Sequence, residues 1–117
     1  MARVLVVDDD ADLRETVAEA LRDAGWQVDL AEDGERALGL LSRRAPDVVL
    51  LDVLMPRWSG RDFVDGLRRL HRDVPVVVFT AGRQTREIAE QLGTPYFIEK
   101  PFEVPDLLRL LERATRK

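Results

Sequence analysis

Three continuous apolar runs punctuate the chain: Val4–Val7, Val48–Leu51 and Val76–Phe79. They are rich in β-branched residues and show no polar alternation, the pattern of strands covered on both faces. Gln27–Ala31 and Tyr96–Ile98 predict two shorter strands. Between the strands, apolar residues recur at helical spacing. Leu13, Val17, Ala20, Leu21 and Ala24 form one such stripe, with Gly25 behind it. Ala37, Leu38 and Leu41 form a second, and Phe63, Leu67 and Leu70 a third. Ile88, Ala89 and Leu92 precede Gly93, and Val104, Leu107, Leu108 and Leu111 complete the series. Glycine just past a helical stripe is a stop signal, because it accepts the left-handed backbone that ends a helix. The order is five strand–helix pairs, which predicts an α/β fold with a parallel sheet and helices on both faces. Open sheets of this kind bind ligands beyond the carboxyl ends of their strands, where strand order reverses.

Four of the five predicted strands end in residues with useful chemistry. The first runs into Asp8, Asp9 and Asp10, the third into Asp52, the fourth into Thr80 and the fifth into Lys100. If the first and third strands are neighbours, Asp8, Asp9 and Asp52 converge. Close carboxylates repel and raise one another's pKa. A hard divalent cation such as Mg2+ relieves this, with oxygen ligands from carboxylates, water and phosphate. A backbone carbonyl just past Asp52, at Leu54, suits a further ligand position. A carboxylate beside Mg2+ is a competent nucleophile toward a phosphoryl group. Transfer then depends on position and on neutralised charge. Thr80 offers a hydroxyl and Lys100 a compact ammonium with three donors. Simpler roles exist for some of these residues. Asp10 or Asp12 could cap the first helix, and Asp12 with Glu15 has capping-box spacing.

Composition sharpens this picture. The 117 residues suit one domain, 1–117, and 45% are hydrophobic, enough for a single core. No apolar stretch approaches the ~20 residues of a membrane span. Val4–Val7 is too short for a signal peptide. There is no cysteine, which fits a cytoplasmic protein. The net charge of −4 argues against direct nucleic-acid binding. Residues 1–58 carry net −6 and residues 59–117 net +2, so the acidic surplus lies in the half that holds the Asp clusters. Sixteen of the eighteen basic residues are Arg; the two Lys are Lys100 and Lys117. A point-charge ammonium fits between two carboxylates and a phosphate where a planar guanidinium fork does not. Pro101 follows at once, and a Lys–Pro bond is compatible with a cis peptide. His71, the only histidine, follows the third helical stripe and reads as a helix C-terminal cation.

The segments VLVVDDD, PDVVLLDVLMP, VPVVVFTAG and FIEKPF, in that order, resemble the receiver domain of bacterial two-component response regulators, as does the turn AEDGERAL. The resemblance covers essentially the whole chain. It implies a flavodoxin-like (βα)5 three-layer sandwich with strand order 2-1-3-4-5. It implies Asp52 as phosphoacceptor. Asp8 and Asp9 would form the Mg2+ pocket, Asp9 being the more direct ligand, and the Leu54 carbonyl would complete the protein ligands. Lys100 would pair with Asp52 and then with the phosphoryl group. Thr80 and Phe97 would form the switch. The implied donor is a histidine kinase or His-phosphotransfer domain. The implied readout surface, facing an output domain or downstream protein, is the fourth helix, fifth strand and fifth helix. A phosphorylation-dependent homodimer is compatible with the family. Such a module promotes its own phosphorylation and dephosphorylation and is not an enzyme turning over an external substrate.

Some positions depart from the family's pattern. Phe97 stands where Tyr is frequent, so this switch residue has no hydroxyl. The interval from Thr80 to Lys100 is slightly short, which predicts a shortened fourth helix. Arg57 and Trp58 follow Met55-Pro56, where small residues or Met are more familiar. Leu54, two residues past Asp52, is expected to hinder the hydrolytic water and slow dephosphorylation. Other functions compete with the phosphoacceptor reading. One is a receiver-like interaction domain that is not phosphorylated; the intact Asp8, Asp9, Asp52, Thr80 and Lys100 set argues against it. An aspartyl-phosphate hydrolase would want D-x-D at the nucleophile, but Val53-Leu54 follow Asp52. A dinucleotide-binding domain would want G-x-G-x-x-G after the first strand, and the chain lacks it.

Overall fold

The structure is a computed structural model and describes residues 2–53, 60–71, 73–81 and 84–116. The elements run β1 (Arg3–Val7), α1 (Ala11–Asp23), β2 (Gln27–Ala31), α2 (Gly34–Leu41), β3 (Val48–Leu51), α3 (Gly60–Leu70), β4 (Val76–Ala81), α4 (Thr85–Gln91), β5 (Tyr96–Lys100) and α5 (Val104–Thr115). The five strands form one parallel sheet in the order β2-β1-β3-β4-β5. The expected three-layer sandwich and strand order are therefore both observed.

Alternation along the strands sorts the core into two halves. Leu5, Val7, Val49, Leu51, Val76 and Val78 face α2, α3 and α4. Val4, Val6, Val48, Leu50, Val77 and Phe79 face α1 and α5. A strand with two covered faces has no use for polar residues, which is why β1, β3 and most of β4 read as unbroken apolar runs. At their carboxyl ends the same strands pass from apolar to polar residues: Asp8 and Asp52 follow β1 and β3, and Thr80 ends the apolar run of β4, all three still buried.

Local signals set the helix ends. Asp10, not Asp12, caps α1: its side chain accepts from the Asp12 and Leu13 amides. The Asp12–Glu15 spacing is therefore not a capping box. Gly25 and Gly93 follow α1 and α4 with φ of +96° and +77°, the left-handed backbone expected of them. The fourth helix is seven residues long, in keeping with the short Thr80–Lys100 interval. Strands four and five each run past the expected ends, to Ala81 and Lys100, because those residues pair with each other. His71 serves as a link between helices: its Nε2 donates to the Leu41 carbonyl, 2.6 Å away, at the end of α2.

Candidate functional site

Register brings the acidic residues together. Val7 pairs with both Ala31 and Leu51, so β1 and β3 end level with each other. The next residues, Asp8 and Asp52, extend the ladder through their backbone N–H groups, to Ala31 and Val7 respectively. Both residues are buried, at 0% and 5% exposure, and Asp9, which follows Asp8, is exposed. Asp8, Asp9 and Asp52 each place a carboxylate oxygen within 4.8 Å of the others.

Lys100 enters from β5, across β4. Its Nζ donates to Asp8 Oδ2 and Asp52 Oδ2, each at 3.0 Å. The Lys100–Pro101 peptide is cis, as that dipeptide allowed. Strand alternation explains the approach: Asp8, Asp52 and Lys100 continue the series that faces α1 and α5. Burial by itself would lower the Lys100 pKa. Its hydrogen bonds to Asp8 and Asp52 outweigh that and hold it above 10.5. Asp8 moves upward as well. Burial raises its carboxyl above the ordinary 3.8, against the opposing pull of the Asp10 amide and of Lys100. One ammonium set against three carboxylates leaves an excess of negative charge that a hard, oxygen-seeking divalent cation fits. The donor set of Asp8, Asp9 and Asp52 suits such an ion. Leu54, whose carbonyl is the further expected ligand, lies outside the described residues, as do Arg57 and Trp58.

Thr80 and Phe97 share the opposite series, toward α3 and α4. Phe97 pairs with Val78 in the ladder and is partly buried against that half of the core. Tyr96 packs on the other half, as alternation requires. Thr80 is 1% exposed, and its Oγ1 is buried without a hydrogen-bond partner among the described residues. A buried hydroxyl left unsatisfied costs about 1–3 kcal/mol, so this atom is set to accept or donate when a polar group arrives. The site thus has acid and cation on one side of the sheet and an orphan hydroxyl with an aromatic on the other.

Two residues of the site escaped the sequence reading. Arg14, one turn into α1, donates from Nη1 to the Asp8 carbonyl at 2.7 Å. Phe79 lies beneath the Lys100 ammonium. Each looked ordinary in sequence: one Arg among sixteen, and one more apolar residue in a buried strand. The only local signal was position, since Phe79 precedes Thr80 at the strand end and Arg14 follows the Asp run by one helical turn.

The chain matches the family model for the response regulator receiver domain over residues 4–112. Among curated proteins it is 38% identical to the response regulator MprA of a Mycobacterium species and 37% identical to that of Mycobacterium leprae. Each alignment covers 98% of this chain and 51% of the relative, so the chain spans about half the length of these relatives. Among solved structures, the chemotaxis protein CheY4 of Vibrio cholerae superposes with a TM-score of 0.89 at 33% identity, covering 97% of this chain and 98% of that one. The receiver domain of NtrX from Brucella abortus gives 0.86 at 36%, covering 96% and 97%. Among the described residues, no helix is long and apolar enough to cross a membrane.

Proposed function

The chain belongs to the response regulator receiver family, and on that footing we propose that it is a cytoplasmic phosphoacceptor module, acting as one unit over residues 1–117, in which Asp52 takes a phosphoryl group from a histidine kinase or His-phosphotransfer domain. The observation that carries the reading is the Lys100 ammonium held 3.0 Å from both Asp8 and Asp52 at the sheet edge. Asp52 attacks phosphorus. The bond from phosphorus to the donor's imidazole nitrogen breaks, and its electron pair leaves with the imidazole. Mg2+ held by Asp8, Asp9, Asp52 and the Leu54 carbonyl would supply charge neutralisation for the phosphoryl oxygens and for the clustered carboxylates. Lys100 stays within reach of Asp8 while its bond to Asp52 is exchanged for one to a phosphoryl oxygen. Thr80 Oγ1, without a partner among the described residues, donates to another phosphoryl oxygen.

The same bond to Thr80 would bias a two-state equilibrium. Drawing Thr80 toward the phosphoryl group vacates space on the α4 side, into which Phe97 turns. Phe97 lacks a hydroxyl, so the switch works through packing alone. Reversing a 1:99 population requires about 5.5 kcal/mol of differential stabilisation. Two or three charge-assisted hydrogen bonds are of that order. The changed surface, α4-β5-α5, would meet an output domain, a downstream protein or a second copy.

Intact mass after incubation with acetyl phosphate tests the reading. We expect one added phosphoryl group that requires Mg2+ and is absent in Asp52→Ala. A folded parent that gains no mass from acetyl phosphate or from phosphorylated kinase would overturn it and leave a receiver-like interaction domain.

A further inference from the structure

Phe79 is fully buried and sits one position before Thr80. It belongs to the strand series that faces α1 and α5, the same series that Asp8, Asp52 and Lys100 continue. Lys100 Nζ lies over its ring, 4.6 Å from the centroid, while keeping its 3.0 Å bonds to both carboxylates. Phe102, just past Lys100, meets the Phe79 ring edge-on, with centroids 6.1 Å apart and planes at 65°. The Phe79 ring is therefore itself held in place, between its strand and the segment that carries the cation. The ammonium has two carboxylates and one aromatic face around it, and its side chain is only 18% exposed.

An aromatic face attracts a cation through its quadrupole, more strongly where water is excluded. Leu or Val at this position would exclude water equally well but would offer no such attraction. The distinction matters for Lys100 because one of its two carboxylate partners changes. On phosphoryl transfer, the Asp52 carboxylate becomes an acyl phosphate and the ammonium must shift toward a phosphoryl oxygen. Asp8 and the ring are the two neighbours in this trio that the reaction leaves chemically unaltered, and of these only the ring is not also shared with the proposed metal pocket.

We propose that Phe79 is a positioning residue for Lys100: its ring holds the ammonium at the strand edge through the exchange of partners, so phosphoryl uptake depends on the ring's electron density and not only on its bulk. This rests on Asp52 being the phosphoacceptor. The test replaces Phe79 with mono-, di- and trifluorinated phenylalanine, which retain shape while weakening the quadrupole stepwise. Three quantities are read on each protein: melting temperature, the ring-current shift of the Lys100 ε-methylene protons, and the rate of mass gain from acetyl phosphate at saturating Mg2+. The expected result is an upfield ε-methylene shift in the parent, similar melting temperatures, and a rate that falls stepwise, by on the order of fivefold at trifluorination. A rate flat across the series in an active parent, or ε-methylene protons without an upfield shift, overturns the inference while leaving the Asp52 reading intact. A folded parent that gains no mass from acetyl phosphate or from phosphorylated kinase removes both.

Discussion

The Arg14 guanidinium donates to the Asp8 backbone carbonyl at 2.7 Å, tying the first turn of α1 to the end of β1. That carbonyl and the Asp9 N–H belong to one planar peptide, so fixing one orients the other. Arg14 thereby helps aim the exposed Asp9 carboxylate at Asp8 and Asp52. Partners one step removed from a metal commonly change affinity by about 10–100-fold when lost. Removing a nearby positive charge works the other way, but that effect is screened at an open site. Arg14→Ala is expected to weaken Mg2+ binding on the order of tenfold, measured by calorimetry. Arg14→Gln, which keeps a donor without the charge, should recover most of the loss. Equal affinity in all three proteins would show that the peptide needs no such anchor.

Asp8 makes the apo protein sensitive to pH. Burial raises its folded pKa above 3.8, so in that window the folded chain binds the proton more tightly than the unfolded chain does. The Asp8 contribution to stability therefore falls as pH rises from about 3.8 through the folded midpoint, and stays low above it. At pH 7 without Mg2+, Asp8→Asn is expected to raise the melting temperature by roughly 2–5 °C. The same variant should lose most of the further rise that Mg2+ gives the parent. Thermal melts with and without Mg2+ check both. A destabilised Asn variant would mean that the bond to Lys100 outweighs the burial of the charge.

Thr80 Oγ1, buried and without a partner among the described residues, predicts a dissociation of stability from switching. Thr80→Val keeps the shape and removes the orphan hydroxyl. Its unphosphorylated form should be more stable by about 1 kcal/mol in urea unfolding. Asp52 should still take up phosphate, but the amide shifts that phosphorylation produces in α4 and β5 should shrink. Full-size shifts in the Val variant would place the switch elsewhere.

Two glycines differ in what a methyl group would meet. At Gly66 a Cβ would lie 2.9 Å from Leu38 Cδ2, the mobile end of a long side chain between α2 and α3. Ala gains about 1 kcal/mol of helix propensity there, so Gly66→Ala should be within about 1 kcal/mol of the parent. At Gly60 the Cβ would lie 2.9 Å from Val53 Cγ1 and 3.3 Å from its Cβ. Val53 is branched next to the backbone and adjoins Asp52, so it cannot yield without moving the end of β3. Gly60→Ala should cost about 1–2 kcal/mol and also slow phosphoryl uptake. Unfolding curves and the acetyl phosphate assay on both variants test the contrast.

Much of this is legible in the sequence alone. Val4–Val7 and Val48–Leu51 announced strands covered on both sides, because only such strands can be apolar without alternation. Gly25 and Gly93 marked helix ends because few other residues accept that backbone. Asp8, Asp52 and Thr80 stood out because each interrupts an apolar run at the same end of its strand, and Lys100 because it closes the fifth strand at that end, between Glu99 and Pro101. The choice between Asp10 and Asp12 as cap was not legible. Both residues are short carboxylates, and the helix's first turn decides which one meets free amides. The extension of β4 and β5 to Ala81 and Lys100 was not legible either, since pairing across the sheet extends them, not local propensity.

The sequence by itself determined the layered α/β plan, the strand ends that carry chemistry and the residue types available there. These follow from periodicity and residue chemistry, which are local properties of the chain. Only the tertiary structure decided that Lys100 reaches across β4 to both Asp8 and Asp52, that Phe79 lies under its ammonium, and that Arg14 holds the Asp8 carbonyl. Those contacts join residues between 6 and 92 positions apart as well as neighbouring strands. They depend on strand order, register and face, quantities that no short stretch of sequence contains.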